Sequence, residues 1–316
     1  MTVGIVYGGT SSETKASEKN AAAIAEVLQT KGYDVCMLEY GQDMVETIRK
    51  HNVDIVYLCV QGKYHGDGTL QAMLDHERIP YTGSTARAAM LINDKILCKL
   101  LFEHYGIPTP KWMILHKEQH KRKEIDLKGI DYPFVAKAPT QGGSFGIELI
   151  RSPGELYKIE NVFRYDDPIL LEEFIDGGFF TVGLFEKNGE LITLKCVEGV
   201  ETVSGKRTTK ENDLILFTGE YRIAEPELEK SVLREMEQMA ERIFKITGAK
   251  DVARVDYMVS RKTGRPFALE INAVPGLKRE SLMPQEAEYC GIAYEDLIEG
   301  ILLSAWNRVA GGKHNV

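Results

Sequence analysis

Two short segments near the carboxyl end, Arg254-Val255-Asp256 and Glu270-Ile271-Asn272, hold residue types suited to gripping phosphate and a hard cation. Alternate residues of a strand face the same side. Arg254 therefore shares a face with Asp256, and Glu270 with Asn272. The runs 253–260 and 266–271 flank Lys262-Thr263-Gly264, which reads as a hairpin. Across such a hairpin the two faces can coincide. Two carboxylates and an amide oxygen beside a guanidinium suit a divalent cation holding phosphate oxygens. Magnesium fits this sparse set, because it keeps waters and takes few carboxylates when phosphates complete its shell. The plain alternative is an exposed hairpin laced by ion pairs.

A second group lies upstream. Lys137 ends a strand-like run and precedes Thr140-Gln141-Gly142-Gly143-Ser144-Phe145-Gly146. Backbone N–H groups of such a loop can wrap phosphate, and Lys137 supplies a point charge. An ordinary glycine hairpin and a solvated edge lysine are the alternatives. No Walker A sequence is present, since no Gly-Lys-Ser or Gly-Lys-Thr follows. Glu172-Glu173-Phe174-Ile175 ends another strand and can offer a carboxylate and backbone groups to an adenine; by itself it reads equally as a plain strand end. Lys95 follows Asn93-Asp94 in a helix. Glu13 stands just past Gly8-Gly9-Thr10, either as a ligand contact or as a carboxylate complementing a helix N-terminus. In Gln61-Gly62-Lys63-Tyr64-His65-Gly66-Asp67-Gly68, His65 has no visible partner and reads as a loop histidine.

The elements that must position these groups fall into two textures. The first 95 or so residues alternate strand and helix: strands at 3–7, 35–40 and 54–60, helices after Ser11-Ser12, at 44–50, and from Gly68-Thr69. That rhythm predicts a parallel sheet covered by helices, with ligands at the carboxyl ends of its strands. One helix is expected over 86–105. Beyond it the pattern turns to strands with few helices, hence an antiparallel α+β region. Strands are expected at 133–137, 146–150 and 169–175. The runs 181–186 and 190–196 flank Lys187-Asn188-Gly189, a strong hairpin signal. Residues 198–213 are polar and predict a mobile loop. Long helices are expected over 226–244 and 295–309.

Composition narrows the function. The chain has 316 residues, 43% of them hydrophobic, enough for a buried core and for two or three domains. Its net charge of −8 argues against a non-specific nucleic-acid binder. No apolar run approaches a membrane span, and the start shows no signal peptide. Five scattered cysteines without a CxxC pair argue against a zinc ribbon or disulfide framework. They suit free thiols in a reducing cytoplasm. The first βα turn lacks GxGxxG, which argues against a dehydrogenase.

Taken together, the ordered segments GGTSSE, GDGTLQAML, IPYTGS, NDK, GIPTP, FVAKAP, GGSFGI, LLEEFI, ARVDYM and LEINAVPGLKRESLMP resemble the D-alanine–D-alanine ligase family of the ATP-grasp superfamily, over nearly the whole chain. The resemblance implies an ATP-grasp fold with a parallel α/β domain (1–94), a small central subdomain (95–178) and an antiparallel α+β subdomain carrying the metal site (179–316). It implies ATP and Mg²⁺ as cofactors, with Mn²⁺ as a substitute, small-molecule amino-acid substrates, a cytoplasmic homodimer, and no nucleic-acid or membrane partner. A carboxylate would attack the γ-phosphate to give an acyl phosphate, which a second amine displaces. Asp256, Glu270 and Asn272 would ligate the metal. Lys95, Lys137 and Ser144 would hold phosphates, and Glu172, Glu173, Phe174 and Ile175 the adenine. Arg254 would stabilise the transferring phosphoryl group, and the Gly276 N–H would form an oxyanion hole. Glu13 would bind the first amino group, Ser281 and Leu282 the second carboxylate.

Several positions depart from the family. Its Ser-Ser pair in the glycine loop is Gly143-Ser144 here, and its Lys-Tyr loop motif is missing between 198 and 213. The His of its His-Gly pair is Gln61, and its ribose-binding carboxylate falls at Phe179. The nucleotide and metal groups are retained while the substrate-facing shell differs. The expected activity is therefore an ATP-dependent carboxylate–amine ligase acting on a non-standard amino-acid pair. An ordinary cell-wall D-Ala–D-Ala ligase and a non-catalytic nucleotide-binding module are the alternatives.

Overall fold

Strand β1 (Thr2–Tyr7) opens a run of strand–helix units. Its centre, from Val3 to Val6, is buried, as a strand between two helical layers must be. Helix α1 (Thr14–Thr30), β2 (Asp34–Glu39), α2 (Met44–Lys50), β3 (Ile55–Leu58) and α3 (Thr69–His76) follow. The three strands form a parallel sheet in the order β2-β1-β3. This is the architecture the alternation predicts. The computed structural model describes residues 1–11, 13–63, 65–122, 125–203, 206–207 and 220–312. Ser12, expected as a helix cap, lies outside them.

The helix expected over 86–105 is two helices, α4 (Ala86–Ile92) and α5 (Lys95–His104). Asp94 breaks it. Its backbone is extended, and its Oδ1 accepts the N–H groups of Ile96 (2.8 Å) and Leu97 (3.2 Å). Such an N-cap contributes about 1 kcal/mol, and it places Lys95 at the first position of a new helix.

The central sheet is antiparallel, in the order β4-β7-β5-β6. Its members are β4 (Trp112–Leu115), β5 (Phe134–Lys137), β6 (Ile147–Ile150) and β7 (Ile169–Glu173). Helices α6 (Lys117–Lys121) and α7 (Ile159–Val162) connect them, with a 3-10 turn at Pro153–Lys158. Phe134, Ile150, Val162 and Leu171 share its core.

The third sheet is also antiparallel. It contains β8 (Gly177–Lys187), β9 (Glu190–Thr193), β10 (Val197–Val203), β11 (Lys206–Arg207), β12 (Glu220–Ala224), β13 (Val252–Ser260) and β14 (Pro266–Asn272). The turn between β8 and β9 has Asn188 at φ 54° and Gly189 at φ 82°, the left-handed pair an Asn-Gly turn supplies. Part of the expected 198–213 loop is strand: β10 pairs with β8, β11 and β12. Ladder hydrogen bonds there outweigh a weak hydrophobic pattern. Residues 208–213, including Lys210, lie outside the described residues. Helix α8 (Lys230–Thr247) buries Met236, Met239, Ala240, Ile243 and Phe244 at helical spacing and ends at left-handed Gly248.

Helices α9 (Leu282–Tyr289) and α10 (Tyr294–Gly312) complete the chain. Leu297, Ile301 and Leu302 of α10 share one core with Val3, Ile24 and Leu28, and α10 packs against α1 and β8. Among the described residues no helix is long and apolar enough to cross a membrane.

Candidate active site

The β13–β14 hairpin pairs Arg254 with Asn272 and Asp256 with Glu270 in register. All four therefore stand on one face. Arg254 donates from Nε to Asp256 Oδ1 (2.8 Å) and from Nη2 to Oδ2 (2.7 Å). Asn272 Nδ2 donates to Asp256 Oδ2 (2.9 Å), and the Thr181 hydroxyl on β8 donates to Oδ1 (2.8 Å). Glu270 meets Lys95 Nζ at 3.1 Å, so α5 contributes a cation to the carboxylate face. Burial works against the Glu270 charge, but Lys95 and Lys137 hold its carboxyl below the usual range. Burial likewise opposes the Lys95 ammonium, yet Glu270 raises its pKa. The pairing of opposite charges decides both.

Facing this hairpin is the central sheet. Lys137 ends β5 and pairs with Oε1 of Glu172 on β7. Glu172 is 2% exposed. Its Oε2 contacts Lys99, a residue of α5 with no exposed surface. Glu172 is thus a buried carboxylate between two ammonium groups rather than a free strand end. Burial favours its neutral form, but Lys137 and Lys99 overcome that and lower its pKa. Glu173 Oε2 accepts the Lys111 N–H (3.2 Å).

The glycine loop follows Lys137. Gly143 (φ 59°), Ser144 (φ 63°) and Gly146 (φ 67°) are left-handed. A serine in that region is uncommon and strained, a feature that concentrates at ligand-binding loops. The loop is anchored at its base. Thr140 N–H and hydroxyl donate to Asp166, and Lys95 Nζ donates to the Gln141 carbonyl (2.7 Å). The Phe145 N–H bonds back to the Gly142 carbonyl (3.1 Å), closing the turn; successive left-handed residues of this kind can form an anion-binding concavity.

The first sheet supplies the third wall. Glu13 lies beneath the glycine loop: a Cβ on Gly142 would fall 2.5 Å from Glu13 Oε2. Burial raises the Glu13 pKa, Lys95 lowers it and Glu270 raises it, with burial prevailing. His65, read as a loop histidine, is 2% exposed. Its Nε2 accepts the Thr10 N–H (3.1 Å), so it shapes the loop that leads to Glu13. Gln61 Nε2 donates to the Val274 carbonyl (2.6 Å), and Asn20 Oδ1 accepts the N–H groups of Leu277 and Lys278, both at 3.0 Å. These bonds fix the segment around Gly276. A Cβ on Gly276 would meet Ser281 Oγ at 2.8 Å, which puts the two side by side. Phe179, at the ribose-carboxylate position, is buried, and a Cβ on Gly199 would lie 2.6 Å from its ring.

A single open cleft of about 2160 Å³ is lined by Glu13, Lys95, Lys137, Ser144, Glu172, Glu173, Phe174, Ile175, Arg254, Glu270, Asn272, Gly276, Ser281 and Leu282. Asp256 alone of the expected site residues does not line it; at 2% exposed it lies beneath Arg254 and Asn272. Sequence reading missed Lys99, Asn20 and Asp166. Lys99 repeats Lys95 one helical turn on, which was the available signal.

Among the described residues no three His, Cys, Asp or Glu side chains converge on a metal position. Of the three expected donors, Glu270 and Asn272 line the cleft, whereas both oxygens of Asp256 already accept from Arg254, Asn272 and Thr181 beneath it. A carboxylate and an amide oxygen suit a hard divalent cation whose remaining ligands come from phosphate and water. Glu270 and Asn272 would hold such a cation, and Asp256 braces the groups beside it.

A parallel α/β unit joined to two antiparallel sheets that face each other across a cleft of lysines and carboxylates is the ATP-grasp architecture. The chain belongs to the D-alanine–D-alanine ligase family: the model of the D-Ala D-Ala ligase C-terminus matches residues 101–303. It is similar to a D-alanine–D-alanine ligase of Carboxydothermus hydrogenoformans, 34% identical over 313 residues, covering 96% of this chain and 97% of that protein. In fold it resembles the ligase of Bacillus anthracis crystallised with ATP (TM-score 0.82, 24% identity, 99% of each chain). It also resembles the VanG D-Ala:D-Ser ligase of Enterococcus faecalis (TM-score 0.79, 22% identity, 96% of this chain and 99% of that one).

Proposed function

We propose that this chain joins two amino acids through an acyl phosphate, using ATP and a divalent cation, on a pair other than D-alanine with D-alanine. One observation carries the ligase reading. Arg254, Asp256, Glu270 and Asn272 share one face of the β13–β14 hairpin, with Lys95 and Lys137 on the same cleft. Attack of a carboxylate on a phosphoryl group brings anions together, and such an array offsets their repulsion.

The first substrate's carboxylate oxygen bonds to the γ-phosphorus as the bond to the bridging oxygen breaks, and ADP leaves. The second substrate's amine then attacks the acyl carbon. The tetrahedral oxyanion forms beside the Gly276 N–H and Arg254. The carbon–oxygen bond to phosphate breaks, inorganic phosphate leaves, and the amine proton passes to solvent. Lys95 and Lys137 hold phosphate oxygens, and Ser144 and its loop cover them. A bound magnesium ion supplies Lewis-acid charge neutralisation at the phosphoryl oxygens. Glu13 receives the first ammonium group; Ser281 and the Leu282 N–H receive the second carboxylate.

The altered substrate pair rests on Gly143 in place of the family's serine, on the absence of its Lys-Tyr motif between 198 and 213, and on Gln61 in place of its histidine. A panel of amino-acid pairs, read by phosphate release and product mass, tests it. D-Ala–D-Ala as the fastest product refutes the altered pair; no ADP formation with any carboxylate refutes the ligase. The ordinary D-Ala–D-Ala activity is the second reading, favoured by relatives of that name along nearly the full chain. A mere nucleotide binder has little use for both metal ligands and Arg254. Glu270→Ala with unchanged ATP turnover would remove the metal role. A cytoplasmic homodimer accompanies this reading, and light scattering on the purified chain measures its mass.

A further inference from the structure

Lys99 is an ionisable residue that the reaction outlined above leaves unused. It has no exposed surface and does not line the cleft. Its ammonium touches Glu172 Oε2 and donates to Thr109 Oγ1, whose own proton goes to the Ala268 carbonyl at 2.7 Å. Thr109 can therefore only accept from Lys99, and the ammonium is held in one orientation.

One cation balances one carboxylate, yet Glu172 has two. The charged groups acting on it are Lys137 from β5 and Lys99 from α5. Burial lowers the Lys99 pKa and Lys137 adds to that, while Glu172 and the neighbouring Cys98 thiol oppose it, so the Lys99 ammonium is held by Glu172. The two lysines are not equivalent. Lys137 stands on the cleft wall and acts also on Glu270; in the nucleotide reading given above it meets phosphate oxygens. Anionic oxygen arriving there competes with Glu172 for its charge. Lys99 has no access to the cleft and stays with Glu172.

We propose that Lys99 is a positioning residue that keeps Glu172 ionised and oriented when Lys137 turns to phosphate, and so sets the cleft's preference for a purine with an exocyclic amino group over one with a carbonyl. The inference rests on the nucleotide reading given above. An ionised carboxylate only accepts hydrogen bonds, so it favours an amino donor and repels a carbonyl oxygen. Left buried with no cation it would take up a proton, and a protonated carboxyl can donate to a carbonyl as well.

The test compares the full-length wild type with Lys99→Met by calorimetry, using Mg-ADP and Mg-GDP in buffers of different ionisation enthalpy. Lys99→Met is expected to take up about one proton more on binding ADP, and to lose about tenfold or more of the ADP-over-GDP preference. In a Glu172→Gln background, Lys99→Met is expected to change neither proton count nor preference. Equal proton counts and equal preference in wild type and Lys99→Met overturn the proposal. A wild type that binds neither nucleotide overturns the underlying nucleotide reading instead. Should Lys99→Met fail to fold, Thr109→Val is measured in the same way. It keeps the charge and releases its orientation, so preference should fall at a wild-type proton count; an unchanged preference overturns the proposal there too.

Discussion

Arg254 closes on both carboxylate oxygens of Asp256, with Nε at 2.8 Å from Oδ1 and Nη2 at 2.7 Å from Oδ2. Two residues apart on one strand, they form a fork that fixes the guanidinium against the cleft. Asp256 is 2% exposed, and among the described residues Arg254, Asn272 and Thr181 supply all of its carboxylate's hydrogen bonds. Asp256→Asn leaves Arg254 without its counter-ion. One-sided loss of a buried pair costs about 3–5 kcal/mol, toward the lower end here because the Arg254 side chain keeps 13% exposure. The melting temperature should fall, and the rise expected for the wild type on adding Mg-ADP should shrink. Thermal unfolding with and without Mg-ADP measures both.

Glu13 should trade stability for function. Burial raises its pKa, so its ionised form is disfavoured in the folded chain. That cost is absent at low pH. It sets in as pH rises through the ordinary value of 4.5 and is complete above the folded-state value. Glu13→Gln removes it. The variant should be more stable than the wild type at pH 8, with a smaller gain at pH 4, while ligation falls. Urea unfolding at the two pH values, beside product assays, checks the sign.

Gly142 makes room for Glu13. In Gly142→Ala the new methyl would sit 2.5 Å from Glu13 Oε2, and the carboxylate must move. The KM for the first amino acid should rise on the order of tenfold to a hundredfold, with ADP affinity little changed. Initial rates against each substrate separate the two effects.

The thiols should fall into two classes. Cys59, Cys98 and Cys196 are buried, whereas Cys36 and Cys290 are partly exposed. Burial pushes the Cys98 pKa up to about 12, so little thiolate forms there at neutral pH. A thiol reagent at pH 8 should modify Cys36 and Cys290 first, and the other three only after unfolding, as counted by mass spectrometry.

The β13–β14 hairpin was legible because its information is local. Residues at spacing two on strands joined by a short turn leave little choice of face, and Arg254, Asp256, Glu270 and Asn272 converge as their spacing required. The parallel sheet was legible for the same reason, each strand ending in its own turn signal. The Lys99–Glu172 pair was not. It joins residues 73 positions apart, and nothing in the hydrophobic pattern of α5 says that a lysine faces inward. His65 is a loop residue as its sequence reads, but its burial and its bond from the Thr10 N–H were not visible, because that partner lies far off in the sequence. Asp94 was visible as a residue but not as a break, because helical propensity on both sides concealed the cap.

Helix α10 packs on α1 and on β8 at once, so one rod of chain is shared by the amino-terminal unit and the carboxyl-terminal sheet. The end of α1 beside Glu13 and the strand next to Arg254 are thereby braced on a common strut. A substitution that loosens α10 disturbs two walls of the cleft together.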